Sequence, residues 1–229
     1  MNTINRLSRL IAFDTTSRHS NLALIHDCAD YLESLGLKPW LSHNADQSKA
    51  NLFATIAAAN GSTEGGLILS GHTDVVPTDG QAWQSDPYRA DIREGRLYGR
   101  GSADMKGFIA AVLAAAPAMV QAELRRPLHI ALSYDEEIGC LGAPVMIAEL
   151  QKRGLTPEHC IVGEPTSMRM VVAHKGLQRL ARRRHAVRPV VVAHAVAGGL
   201  QLLLHEGQGH LGGRRVAQVA EHHRLHGAG

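Results

Sequence analysis

The stretch Leu67-Ile68-Leu69-Ser70-Gly71-His72-Thr73-Asp74 decides the fold class. Its uncharged apolar run predicts a buried strand. The run stops at Gly71, and His72 and Asp74 follow two residues apart. In extended chain that spacing puts both side chains on one side. A metal-ligating histidine is commonly steered by such a carboxylate. Acidic residues recur beside similar apolar segments further on: Asp104, the pair Glu136-Glu137, and Glu164.

On the amino-terminal side, helices are expected over Thr3–Phe13 and Asn21–Leu35, with Gly36 as a stop, and strands over Leu37–Leu41 and Asn51–Ala57. Asn60 to Gly66 is a turn that feeds the Leu67 strand. On the other side, Thr78–Pro87 reads as a polar loop and Asp91–Tyr98 as a hairpin turning at Glu94-Gly95. A glycine-rich loop, Gly99 to Gly107, runs into an Ala-rich helix over Phe108–Gln121. Leu128–Ser133 is a strand leading into Asp135-Glu136-Glu137, and Gly142–Lys152 a helix. Short strands at Cys160–Val162 and Met170–Ala173 lead into Gly163-Glu164-Pro165 and His174-Lys175-Gly176. The alternation predicts an α/β domain with a mostly parallel sheet and flanking helices. In such sheets ligands bind beyond the carboxyl ends of the strands. His72, Glu136-Glu137 and Glu164 each follow a predicted strand, and Asp104 opens a helix, so one edge of the sheet gathers them.

Each residue also has a plainer reading. His72 suits a turn beside an N-cap Asp74, and Asp104 suits a helix N-cap. Asp135-Glu136-Glu137 suits a solvated acidic turn. Adjacent Glu136 and Glu137 in extended chain point to opposite sides, so one serves as metal ligand and the other as general base. A carboxylate such as Asp104 can bridge two metals, which in two-metal hydrolases sit about 3.5–4 Å apart. Gly99-x-Gly101 lacks the third glycine of a dinucleotide fingerprint.

The 229 residues suffice for one large domain or two small ones, and 45% hydrophobic content supports a packed core. No segment reaches the roughly 18 apolar residues of a membrane span, and the start carries no apolar signal core. Three cysteines without a close pair (Cys28, Cys140, Cys160) point to reduced thiols and a cytoplasmic location.

Four motifs in order then carry a family resemblance: Gly71-His72-Thr73-Asp74-Val75-Val76-Pro77, Gly99 to Gly107, Asp135-Glu136-Glu137-Ile138-Gly139-Cys140 and Gly163-Glu164-Pro165-Thr166. Residues 1–176 resemble the zinc aminoacylase and carboxypeptidase-G-type metallopeptidases. The resemblance implies a zinc-exopeptidase-like catalytic domain, incomplete here, that hydrolyses the amide of a small N-acyl amino acid. Asn51 to Thr55, Asp79 to Trp83 and His174 to Gly176 favour N-acetyl-L-ornithine over N-succinyl-diaminopimelate. It implies zinc, with cobalt as a substitute. His72, Asp104 and Glu164 would hold one ion. Asp104 would bridge to a second ion held by Glu137. Glu136 would be the general base and Asp74 the partner of His72. A cis peptide at Asp104–Met105 is implied too, as are a homodimer and a lid domain in the intact family, neither recognisable here. Lacking a last histidine for the second site, the chain is expected to hold at most one tight ion.

Past about Leu180 the resemblance ends. Residues 177–229 use only nine residue types, with 8 Arg, no Lys and 2 acidic residues, a net +6 that leaves −3 for 1–176. The simplest reading is a coding frame shifted from about Leu180, so that 177–229 is not a native domain. Arg182-Arg183-Arg184 and the histidines at 222, 223 and 226 then carry neither nucleic-acid nor metal binding, and neither nucleic acid nor membrane is an expected partner.

Overall fold

Six residues from Leu67 to His72 form the strand on which the sheet is built, in a computed structural model that describes residues 2–167, Arg169 and Val171. In chain order the elements are α1 (Thr3–Ile11), α2 (Leu22–Ser34), β1 (Trp40–His43), β2 (Ala50–Ile56), β3 (Leu67–His72), β4 (Asp91–Arg93), β5 (Arg96–Tyr98), α3 (Lys106–Gln121), β6 (Leu128–Ser133), α4 (Gly142–Lys152) and β7 (His159–Val162). The strand expected over Met170–Ala173 and the tail 177–229 lie outside the described residues.

Five strands form one sheet in the order β1-β2-β6-β3-β7, and β4 and β5 pair apart from it. The carboxyl half is parallel: β3 runs with β6, His72 opposite Ser133, and with β7, Ser70 opposite Val162. The other half is antiparallel, β1 against β2 and β2 against β6. The sheet is therefore mixed, and the mostly parallel expectation describes the half that carries the site. For β1 and β2 the reason is local. Only residues 44–49 separate β1 from β2, a reversal too short for a parallel crossover.

Alternation along the strands gives each face its own core. Leu52, Ala54, Leu69, Ile130, Leu132 and Ile161 pack under α1, α2 and α3, and Phe53, Ala131 and Ile68 face Met146 and Leu150 of α4. The result is three layers, helices on both sides of the sheet. Two polar groups inside it have hydrogen-bond partners. His129 is 1% exposed; its Nε2 donates to the Gly65 carbonyl at 2.9 Å, so Nδ1 is left to accept from the Thr55 hydroxyl at 3.0 Å. Lys106 is fully buried, and its Nζ donates to the Phe13 carbonyl at 2.7 Å. Burial lowers its pKa to about 8, with Asp14 pulling the other way.

The expected hairpin turns at Glu94 and Gly95, both at positive φ (50° and 70°), as a tight two-residue loop requires. The N-cap expectation for Asp104 is corrected. α3 opens at Lys106 with Met105 as its cap residue and no side-chain cap, because Asp104 turns its carboxylate to His72.

Candidate metal centre

β3 delivers His72 to the carboxyl end of the parallel strands. The main chain fits there only because it is bare: a Cβ on Gly71 would stand 3.1 Å from both Ile109 and Met105 of the α3 region. Gly163, just past β7, is tighter still, with a Cβ falling 2.0 Å from the Phe108 ring. These two glycines let β3 and β7 run close under α3, so that His72 and Glu164 meet the loop that brings Asp104. The Asp104–Met105 peptide is cis, as the resemblance implied.

The imidazole of His72 is 2% exposed and has two unlike sides. Nδ1 lies 2.9 Å from the main-chain carbonyl of Asp74 and 3.5 Å from its carboxylate. A carbonyl only accepts, so Nδ1 carries the proton and the neutral ring keeps its lone pair on Nε2. Nε2 faces Asp104 at 2.9 Å, Glu164 at 3.5 Å and Glu136 at 3.9 Å. A lone pair among carboxylate oxygens is repulsive unless a proton or a cation lies between them. Burial works against a proton, yet Asp104, Asp74 and Glu164 outweigh it and push the His72 pKa up to about 11. Glu137 and Glu164 are each raised to about 7. Burial is the main cause in both, and Asp104's charge adds to it, against a lowering influence of His72. The centre thus holds more negative charge than one imidazole balances. One nitrogen lone pair with convergent carboxylate oxygens is a donor set that suits zinc, cobalt or manganese.

Two triads have donor atoms within 4.8 Å of one another: His72 with Glu136 and Glu164, and His72 with Asp104 and Glu137. The trio expected from the sequence, His72, Asp104 and Glu164, is divided between them, with His72 common to both. The expectation that Glu136 and Glu137 point to opposite sides is corrected, since both join His72. Asp135 has φ +54°, which ends the extended chain and turns the pair inward.

Asp74 has a wider task than the sequence suggested. Its carboxylate accepts from Ser17 Oγ at 2.7 Å, Glu136 N at 3.0 Å and Glu137 N at 3.2 Å. Burial raises its pKa, but His72, Ser17 and the Glu136 amide prevail and hold it below the usual carboxylate value. Ser17 joins the centre through Asp74, and Lys49 pairs with Asp135; neither contact was expected from the sequence. Nothing in a polar stretch such as Ser17 to Ser20, or in Gln47-Ser48-Lys49, signals a contact made only by the fold.

Comparison with known proteins now adds a decisive observation. The sequence model of peptidase family M20/M25/M40 matches residues 68–222, more than half of the chain. The chain belongs to this family. Among curated M20/M25/M40 relatives, an acetylornithine deacetylase of Pasteurella multocida (strain Pm70) is 38% identical over 216 residues, 89% of this chain and 53% of its own. An acetylornithine deacetylase of Proteus mirabilis (strain HI4320) is 42% identical over 166 residues, 72% of this chain and 41% of its own. The chain therefore spans about half the length of the curated relatives it matches. Among solved structures, an M20 family metallo-carboxypeptidase of Sulfolobus solfataricus superposes with TM-score 0.56 at 25% identity, covering 71% of this chain and 37% of that one. Human carnosine dipeptidase 1 shares the fold, with TM-score 0.60 at 21% identity over 73% of this chain and 39% of its own. Among the described residues no helix is long and apolar enough to cross a membrane.

Proposed function

We propose that the chain is the amino-terminal catalytic part of a metal-dependent amidohydrolase that removes the acetyl group from N-acetyl-L-ornithine, a step of arginine biosynthesis, in the cytoplasm. One observation carries the metal reading: with Nδ1 turned to the Asp74 carbonyl, His72 Nε2 points its lone pair into a cluster of three carboxylates 2.9–3.9 Å away. The substrate rests on the acetylornithine deacetylases at 38% and 42% identity. Free cysteines at 28, 140 and 160 suit a reducing compartment.

His72, Asp104, Glu164 and Glu137 would hold zinc or cobalt. Such an ion, when bound, supplies Lewis acidity and makes water a stronger nucleophile near neutral pH. The chain's own groups do the rest. Glu136, with its side chain 38% exposed, is placed to take a proton from the attacking water. It returns that proton to the amine nitrogen as the C–N bond breaks, giving acetate and ornithine. Asp74 fixes the His72 ring through its carbonyl and the Glu136-Glu137 turn through its carboxylate.

The test is release of ornithine from N-acetyl-L-ornithine by the zinc- or cobalt-loaded chain, with N-succinyl-diaminopimelate as the competing substrate. Glu136→Gln should keep cation affinity and lose turnover by a factor of about 10²–10⁴. Glu137→Gln should weaken the cation instead. Turnover in Glu136→Gln equal to that of the parent would remove the proposed base. A second reading follows from the coverage of 53% and 41% of the relatives: the chain binds one ion without turnover. Calorimetric cation binding with no ornithine formed would select it. A coding sequence read past codon 180 decides whether 177–229 is in frame.

A further inference from the structure

We infer that Lys49 is a positioning residue that acts through Asp135 to set the Glu136-Glu137 turn against His72; the inference rests on the metal-centre reading above. Lys49 lies in the reversal before β2, 86 residues from Asp135. Its Nζ donates to Asp135 Oδ1 and to the Ser17 carbonyl, both at 2.5 Å. The two charged side chains are 12% and 9% exposed, so the pair sits away from solvent screening. Ser17 in turn donates its hydroxyl to Asp74, which accepts the Glu136 and Glu137 amides. A closed circuit results: Lys49, Asp135, the turn, Asp74, Ser17 and back to Lys49.

Each link bears on where the two glutamates point. Asp135 is at φ +54°, a conformation L residues adopt sparingly and Asp and Asn more readily than most. Its carboxylate, held by the ammonium, fixes that conformation from outside the centre. Asp74 fixes the next two amides from inside it. Without the outer anchor, Asp74 and the main-chain bonds from Gly139, Cys140 and Leu141 still close the turn, but nothing holds the Asp135 side chain, and the aim of Glu136 and Glu137 loosens. The base of Lys49 is itself rigid: Lys49 N donates to Asn44 at 2.9 Å and Ala50 N to Asn21 at 3.0 Å. Side chains that support ligands from behind in this way typically change metal affinity 10–100-fold when removed.

The test uses the full chain stripped of metal. Cobalt(II) is titrated into the parent, Lys49→Met, Lys49→Arg, Asp135→Asn and His72→Ala, followed by calorimetry and by the visible cobalt band. Asp135→Asn keeps a residue suited to positive φ while removing the charge, and decides the matter if Lys49→Met does not fold. We expect Lys49→Met and Asp135→Asn, assayed at a temperature where each is folded, to bind cobalt at least about 10-fold more weakly, and Lys49→Arg to regain most of the affinity. Unchanged affinity in Lys49→Met and Asp135→Asn, or equal loss in Lys49→Arg, overturns the inference while the metal reading stands on loss of binding in His72→Ala. Parent-like binding in His72→Ala overturns the metal reading and the inference with it.

Discussion

His72 has one lone pair to give, because its Nδ1 proton is committed to the Asp74 carbonyl at 2.9 Å. Both acidic triads draw on that single nitrogen. Calorimetry should therefore find one tight zinc ion per chain, and two equal tight sites would refute the shared-nitrogen argument. Asp74→Asn replaces a carboxylate that accepts three donors with an amide that has one oxygen. Zinc affinity should drop about 10–100-fold, and an unaltered binding isotherm would show that Asp74 does not steer the centre. His129 gives a pH signature away from the site. Burial holds it below its ordinary 6.5, the Gly65 carbonyl opposing only in part. Below about 6.5 the unfolded chain takes up the proton that the folded chain resists, so the His129 contribution to stability declines as pH falls through that value, opposite in sign to that of Glu137 and Glu164. On going from pH 7.5 to 5.5 the urea midpoint of His129→Gln should shift upward relative to the parent's shift, the Glu137 and Glu164 contributions being common to both; identical shifts would exclude a His129 contribution. At this scale the identities His72, Asp74, Asp104, Glu136, Glu137 and Glu164 were legible, because acids beside apolar runs stand out. The inward turn of Glu136-Glu137 was not, since the positive φ of Asp135 has no local mark in Ser133-Tyr134-Asp135.

Elements meet most tightly where α3 crosses the ends of β3 and β7. The Phe108 ring occupies the space a Gly163 side chain would need: a Cβ there would fall 2.0 Å from the ring. Gly163→Ala should cost about 1–3 kcal/mol of stability in urea unfolding. Phe108→Ala opens that space, so the double variant should be more stable than the sum of the singles predicts. Strict additivity would mean that the contact is not the source of the loss. Ile109, fully buried in the same helix, should lose about 2–5 kcal/mol on truncation to Ala. The existence and kind of these elements could be read from periodicity, and Leu128–Ser133 and Gly142–Lys152 begin and end where the pattern said. Strand direction could not be read in full. That β2 lies antiparallel to β6 depends on pairing across 80 residues, Leu52 opposite Leu132, which no window of sequence contains.

At the scale of the whole molecule, the centre ties together segments from Ser17 to Glu164. A cation that binds only the folded state should stabilise all of them, by about 2.7 kcal/mol at a hundred times Kd. The melting temperature should rise with zinc, fall back with a chelator, and stay put in His72→Ala; a rise in that variant would place the ion elsewhere. The family and the one-edge gathering of His72 and the acidic residues were legible because the four motifs keep their order and each falls at the end of an element. The supporting circuit through Ser17 and Lys49 was not, because its members share no spacing and meet only when the sheet has formed. Lys106 offers a different use of that closure. Its amine is sealed beneath Phe13, whereas Lys38 and Lys152 stand in solvent. An acylating reagent will mark those two at once and Lys106 only when the segment at Phe13 lifts away, so the mass-spectrometric lag between them clocks how often the native chain breathes.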